Sequence, residues 1–287
     1  VGGTGVVGML RNGKGPTILI RADMDGLPVE EKTGLPYASK AKQVGEDGKE
    51  YSVMHACGHD THITAMIATA RRLVATKGQW SGTLMFVVQP AEEGVRGAKA
   101  MMEDGLYERF GKPDYALAFH VAAELETGKV SASEGIQYSS SDSLDIRVPG
   151  IGTHGAAPHL GRDPVYIASQ VVTALQSIDS REISPVKPVV VTVGSFHAGS
   201  KHNIISDEAK LQVTVRANDE ETREQVIATV ERIAVNIGKA HGLPDSMPVT
   251  VTRLPGTPTT INDAALARRL NAVMQRELGA SAFVPFE

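Results

Sequence analysis

Cysteine is nearly absent: Cys57 stands alone among 287 residues. No disulfide can close within the chain. That is compatible with a reducing compartment, although a single cysteine decides little. No run of 18 apolar residues occurs, so no segment reads as a membrane span. No basic tract stands out and the net charge is −4, which argues against nucleic acid as a partner. Internal repeats and low-complexity segments are missing too. There is no initiating methionine: the chain enters a glycine-rich, strand-like stretch at Val1 and stops at Glu287 just after a helical pattern. Both ends read as cut, so any signal peptide would lie outside the sequence. Localisation is left open, with the cytoplasm as default.

What is present suffices for ordinary cores. Apolar residues make up 41% and charged residues 22%, and at about 150 residues per domain two domains are expected. Val6–Leu10 and Thr17–Ala22 read as two strands joined by a turn through Asn12-Gly13 and Gly15-Pro16. Gln43–Glu50 is polar and reads as a surface loop. Asp60–Thr76 carries Ile63, Ile67, Ala70 and Val74 at helical spacing. Leu84–Val88 is a continuous apolar run suited to a buried parallel strand. A short helix over Ala98–Glu103 and a strand over Tyr115–Val121 continue an α/β alternation.

Near residue 140 the pattern changes. A strand over Ser143–Val148, a helix from Asp163 to about Ile178, strands over Val189–Phe196 and Ala209–Arg216, a helix over Glu220–His241 and a strand over Val249–Arg253 follow in turn. The order β-α-β-β-α-β is that of a split βαβ sandwich. It is placed at 139–254, inserted into a first domain made of 1–138 and 255–287. Pro255 and Pro258 mark the return, and Asp263–Leu278 reads as a helix of that first domain.

Four segments bring metal-compatible groups to strand ends or helix starts. In His55-Ala56-Cys57-Gly58-His59-Asp60 a thiol and an imidazole lie two apart around a glycine, and both are good ligands for zinc and similar divalent ions. Read alone, the same string is a buried cysteine beside a helix cap. Gln89-Pro90-Ala91-Glu92-Glu93 ends an apolar strand, so the adjacent glutamates point different ways. Alone, such a pair is more often solvated surface. Arg21-Ala22-Asp23-Met24-Asp25-Gly26-Leu27-Pro28 puts two acids two residues apart, or is merely a turn opened by aspartate. Phe119-His120-Val121 closes another strand with a histidine that alone would more often be structural. His62, one turn after His59, faces either the same site or a packing partner. His159 and His197 are given no role, and His202 reads as exposed.

The strings RADMDGLP, MHACGHD, QPAEEG and FHV, in this order, resemble the motif series of the hippurate hydrolase, aminoacylase and auxin-conjugate hydrolase family. Gly152-Thr153-His154-Gly155-Ala156-Ala157-Pro158-His159, Gly161-Arg162-Asp163-Pro164, Val193-Gly194-Ser195 and Asn203-Ile204-Ile205 extend the resemblance into the inserted segment. It implies a mixed-sheet α/β catalytic domain like that of zinc peptidases, with a ferredoxin-like βαββαβ lid and dimerisation domain. The implied activity is metal-dependent hydrolysis of the amide bond of an N-acyl amino acid or related small conjugate, in a homodimer. Two divalent ions, manganese or zinc, would be the cofactors. Cys57 would bridge them, with His59, Glu93 and His120 as further ligands. Glu92 would be the general base and Asp25 would orient a ligand. His154 would reach a partner subunit's active site and steady the oxyanion. Asn203 and Arg216 would hold the substrate, Arg216 by its carboxylate.

Three departures from that pattern carry expectations. The family supplies a last ligand histidine near its C-terminus, and no histidine follows Asp263 here. The sequence therefore reads as an internal fragment, weakly active or inactive alone. Asp23 stands where related peptidases carry a histidine ligand, and the Gln43–Glu50 segment is longer than expected; either would alter the site or its mouth. Two other functions compete: a cysteine hydrolase with Cys57 as nucleophile, and a metal-stabilised binding or dimerisation module without turnover.

Overall fold

A computed structural model of the protein describes residues 1–45 and 47–284. By compactness the chain divides into two units, Val1–Glu126 and Thr127–Glu287. The first contains β1 (Val6–Asn12), β2 (Thr17–Asp23), β3 (Lys42–Val44), β4 (Glu50–Ser52), α1 (His59–Ala75), β5 (Gly82–Gln89), α2 (Gly97–Glu103), α3 (Leu106–Phe110) and β6 (Tyr115–Ala118). Its main sheet is mixed, in the order β1-β5-β2-β6. β1 and β2 are both strands, but they are not neighbours: β5 lies between them, antiparallel to β1 and parallel to β2. The reason is burial. β5 carries the longest apolar run, and the centre of the sheet covers both of its faces. Leu19, Met85, Val87, Met101 and Leu106 form the core. Of Gln43–Glu50, expected as a plain loop, Gln43, Val44 and Glu50 are paired in the exposed β3–β4 hairpin, which carries an ion pair from Lys42 to Glu50 at 2.7 Å, and Glu46 lies outside the described residues.

Helix α1 packs on β2 with an unexpected face. Its buried residues are His59, His62 and Met66, at i, i+3 and i+7. Ile67 and Val74 of the apolar spacing are 47% and 51% exposed. Two imidazoles thus occupy positions where a purely structural helix would place aliphatic side chains.

The second unit contains β7 (Ile136–Tyr138), β8 (Asp142–Pro149), β9 (Thr153–His154), α4 (Pro164–Leu175), β10 (Val189–Ala198), β11 (Ile204–Ile205), β12 (Glu208–Ala217), α5 (Glu220–Ala240), β13 (Thr250–Arg253), β14 (Thr260–Ile261) and α6 (Ala264–Leu278). Its four-stranded sheet runs β10-β12-β8-β13, all neighbours antiparallel. With α4 and α5 between the strands, this is the ferredoxin-like split βαβ order. Alternate residues of β8 and β12, among them Leu144, Ile146, Leu211 and Val213, pack against Ile167, Val171 and Leu175 of α4 and Val226 and Val230 of α5. Asp163, Asp219 and Asp263 cap the three helices through their side chains. β7 pairs with β14, so the strands flanking the ferredoxin-like body lie side by side. No helix among the described residues is long and apolar enough to cross a membrane.

Candidate metal centre

Parallel pairing sets Asp23 at the end of β2 directly beside Gln89 at the end of β5. The chain leaving these strand ends, and that leaving β6, carries Asp25, Glu92, Glu93 and His120. Carboxyl ends of parallel strands are where α/β sheets collect functional groups. The start of α1 comes to the same place, because Gly58 takes the left-handed φ of +76°. A Cβ at Gly58 would sit 2.3 Å from Val121 Cγ1, so both the turn and the neighbouring strand exit require glycine.

His59 is buried and its Nδ1 donates to the main-chain carbonyl of Asp25 at 2.9 Å. That fixes the tautomer and leaves the Nε2 lone pair bare, buried and without a hydrogen-bond partner. Glu93 Oε1 lies 3.8 Å from it. His120 adopts the same tautomer: Nδ1 donates to the carbonyl of Val121 at 2.6 Å and Nε2 lies 3.4 Å from Cys57 Sγ. Asp25 Oδ2 receives the backbone N–H of Glu93 at 3.0 Å, so one aspartate orients both His59 and Glu93.

Donor atoms of Cys57, His59 and His120 lie within 4.8 Å of one another, and so do those of His59, Glu92 and Glu93. Of the residues expected at the centre, all six in this unit therefore gather in one place. A divalent cation fits the set: an orphaned buried nitrogen, a second imidazole lone pair, a thiol and carboxylates are what such an ion requires and what an apolar ligand would not.

Charge at the centre follows from this crowding. Burial, the charge and hydrogen bond of Glu93, and the charges of Glu92 and Asp23 push the Cys57 thiol up to about 11. Burial also raises the Glu92 carboxyl, with Glu93 and Asp23 adding to the shift and Arg21 opposing it. Both shifts disfavour negative charge where no cation is bound, so a binding cation would have to displace the protons these groups hold. The glutamates sit on a strained turn. Ala91 and Val95 have positive φ, +46° and +52°, costly for a β-branched residue above all. The turn closes through N–H bonds from Arg96 and Gly97 to the Ala91 carbonyl.

Sequence reasoning gave Arg21 and Gln89 no role, left His62 between the site and a packing partner, and expected Asp23 to alter the site; the four form one network here. His62 Nδ1 donates to Asp23 Oδ1 at 2.6 Å, and Arg21 reaches Asp23 Oδ2 at 2.6 Å and Gln89 Oε1 at 2.9 Å. Burial would raise the Asp23 carboxyl, but the bonds and charges of His62 and Arg21 outweigh it and lower it. The signals were the i, i+3 spacing of His59 and His62 and the shared strand face of Arg21 and Asp23.

His154, Asn203 and Arg216 belong to the second unit. His154 lies on β9, paired with Ile204 of β11, and the N–H of Gly155 donates to the Asn203 carbonyl at 2.8 Å. The ribbon therefore joins His154 and Asn203. His154 Nδ1 accepts the Ala156 N–H at 3.1 Å, which leaves Nε2 as the protonated, donating nitrogen. Arg216 projects from β12 opposite Val190 of β10, and all three residues are exposed.

Fold and donor set together define an α/β protein with a candidate metal centre and a ferredoxin-like unit. The profile of peptidase family M20/M25/M40 matches residues 19–286, and the chain belongs to that family. It is 43% identical over 244 residues to hippurate hydrolase of Campylobacter jejuni, covering 85% of this chain and 61% of that protein. It is 37% identical over 235 residues to N-acetyldiaminopimelate deacetylase of Halalkalibacterium halodurans, covering 82% and 60%. The chain thus spans about three fifths of the length of these relatives. The crystal structure of Bacillus subtilis YXEP protein, described as a dinuclear metal binding peptidase of the M20 family, superposes with a TM-score of 0.74 at 28% identity, over 99% of this chain and 68% of that one.

Proposed function

We propose that this protein hydrolyses the amide bond of N-acyl amino acids or related small conjugates, using two divalent cations held by Cys57, His59, Glu93 and His120. The observation that carries the reading is the convergence of these donors around the bare, buried Nε2 of His59. Cys57, with its Sγ 3.4 Å from His120 Nε2, would be one of the groups holding the ions, and His59 belongs to both donor groups. Bound cations would supply Lewis-acid polarisation of the scissile carbonyl and a lowered pKa for water. Glu92 takes the proton from the attacking water and delivers it to the leaving amine. Asp25 keeps His59 and Glu93 in place. His154 donates from Nε2 to the carbonyl oxygen as charge develops there, in the active site of a partner subunit. Asn203 and Arg216 hold the substrate, the guanidinium gripping its carboxylate bidentately. The deacylase activities named for the relatives support this substrate class.

The proposal extends to organisation. Segments 1–138 and 255–287 form the catalytic domain and 139–254 is inserted as lid and dimerisation domain, a reading supported by the β7–β14 pairing on either side of the ferredoxin-like body. The homodimer is supported by β10, an edge strand with exposed Val190 and Phe196.

The Cys57–His120 contact at 3.4 Å also suits a cysteine hydrolase. Against it, a thiol pushed up to about 11 amid carboxylates is poorly set to act as a thiolate. The test is removal of metal with a chelator and restoration with manganese or zinc, assayed on hippurate and a panel of N-acetyl amino acids. Activity that disappears and returns supports the metal reading. Activity that survives metal removal, and is lost to thiol alkylation, supports the cysteine reading instead.

A further inference from the structure

Asp23, His59 and His62 offer three donor atoms within 4.8 Å of one another, all buried, which on spacing alone resembles one more cation site. The bonding argues otherwise. Both oxygens of Asp23 are engaged, Oδ1 by His62 at 2.6 Å and Oδ2 by Arg21 at 2.6 Å. Both nitrogens of His62 are engaged as well: Nδ1 donates to Asp23, and Nε2 accepts the backbone N–H of Val121 at 3.0 Å. Of the two imidazoles in this trio, only His59 keeps a free nitrogen lone pair.

The partner of His62 Nε2 is the informative one. Val121 follows His120 directly, and its carbonyl receives the Nδ1–H of His120 at 2.6 Å. One peptide segment is therefore fixed at its N–H by His62 and fixes the His120 ring by its carbonyl. The segment lies beyond the end of β6, so the sheet ladder does not hold it. Phe119 packs edge-on to His62 with ring centroids 5.1 Å apart. We propose that Asp23 and His62 are a positioning pair: anchored by Arg21 on β2, they clamp the Val121 amide and thereby aim His120 Nε2 at Cys57 Sγ. The proposal rests on the metal-centre reading. Supporting hydrogen bonds of this kind orient metal-ligating imidazoles, and their loss typically weakens metal affinity about 10–100-fold.

Two near-isosteric substitutions separate the bonds of His62. Glutamine can keep an acceptor near the Nε2 position and hold Val121 while losing the donor to Asp23. Asparagine can keep the donor near Nδ1 and lose the acceptor. The experiment is a Co²⁺ titration of wild type, His62→Gln and His62→Asn, following the thiolate-to-cobalt charge-transfer band, alongside hydrogen exchange of the Val121 amide without metal. Expected are a slowly exchanging Val121 amide in wild type and His62→Gln, faster exchange by at least about tenfold in His62→Asn, and Co²⁺ affinity lowered about 10–100-fold in His62→Asn with substantial rescue by His62→Gln. Equal loss in both variants, loss of one bound Co²⁺ per chain in both, or an unchanged affinity and spectrum in His62→Asn overturns the positioning pair while leaving the metal centre intact. Wild type that binds no Co²⁺ overturns the metal centre and the pair with it. If His62→Asn does not fold, a fast-exchanging Val121 amide in wild type still refutes the clamp, and a slow one retained in His62→Gln supports it.

Discussion

The Nδ1–H of His59 is bound to the main-chain carbonyl of Asp25 at 2.9 Å, while the carboxylate of the same aspartate receives the Glu93 N–H at 3.0 Å. A side-chain substitution at Asp25 therefore keeps the carbonyl bond to His59, removes the Oδ1 that lies 3.3 Å from His59 Nδ1, and cuts the Glu93 bond. Asp25→Ala is expected to fold normally and to bind zinc about 10–100-fold more weakly, as read by calorimetric titration. Unchanged affinity would show that Glu93 needs no such support.

Glu92 stands beside Glu93 but serves a different purpose in this account. Glu92→Gln should retain metal content and lose about 10²–10⁴-fold in kcat. Metal analysis and steady-state kinetics on one preparation check both halves. Loss of metal in proportion to activity would make Glu92 a ligand instead.

Gly58 joins left-handed backbone to a tight contact with Val121. Gly58→Ala should cost about 1–2 kcal/mol from the backbone alone, with a further cost as Val121 yields. Denaturant unfolding reads the stability. Because Val121 borders His120, metal affinity should fall in the same variant.

Much of this centre was legible in the sequence because metal chemistry needs particular side chains at particular places. Cys57 and His59 around Gly58, the pair Glu92-Glu93 after an apolar strand, and His120 after another are short-range patterns that survive without coordinates. What was not legible depends on pairing between distant segments. The separation of β1 and β2 by β5 is decided by which strand most needs burial on both faces, not by the turn between them. The bonds of His62 to Asp23 and Val121 span 39 and 59 residues, beyond any local periodicity. The same contacts turn α1 so that histidines face inward and Ile67 outward. Strain at Ala91 and Val95 is likewise a product of packing, since neither residue type signals positive φ.

In the ferredoxin-like unit, Asp142 is fully buried and bound by Arg223 at 2.7 and 2.8 Å and by Arg253 at 2.9 and 3.1 Å. Burial would raise its carboxyl, but the bonds from Arg223 and Arg253 outweigh this and hold it below the usual carboxylate range. Asp142→Asn removes the one buried carboxylate of this cluster, leaving Arg223 only the exposed Glu220 and Arg253 only the exposed Glu224 as charged partners, and should cost up to about 3–5 kcal/mol at neutral pH. A lowered carboxyl stabilises the fold fully above its unfolded pKa of about 3.9 and progressively less as pH falls through the folded value. The gap in unfolding free energy between wild type and variant should therefore narrow on acidification below about pH 4. A gap independent of pH would contradict the assignment.

The most direct measurement of the central claim is X-ray absorption at the zinc edge of the zinc-loaded protein. A cation bridged by Cys57 and held by His59, Glu93 and His120 predicts a sulfur shell at about 2.3 Å with nitrogen and oxygen at about 2.0–2.2 Å, the sulfur vanishing in Cys57→Ala. Stoichiometric zinc with no sulfur neighbour, or no zinc uptake at all, would contradict it.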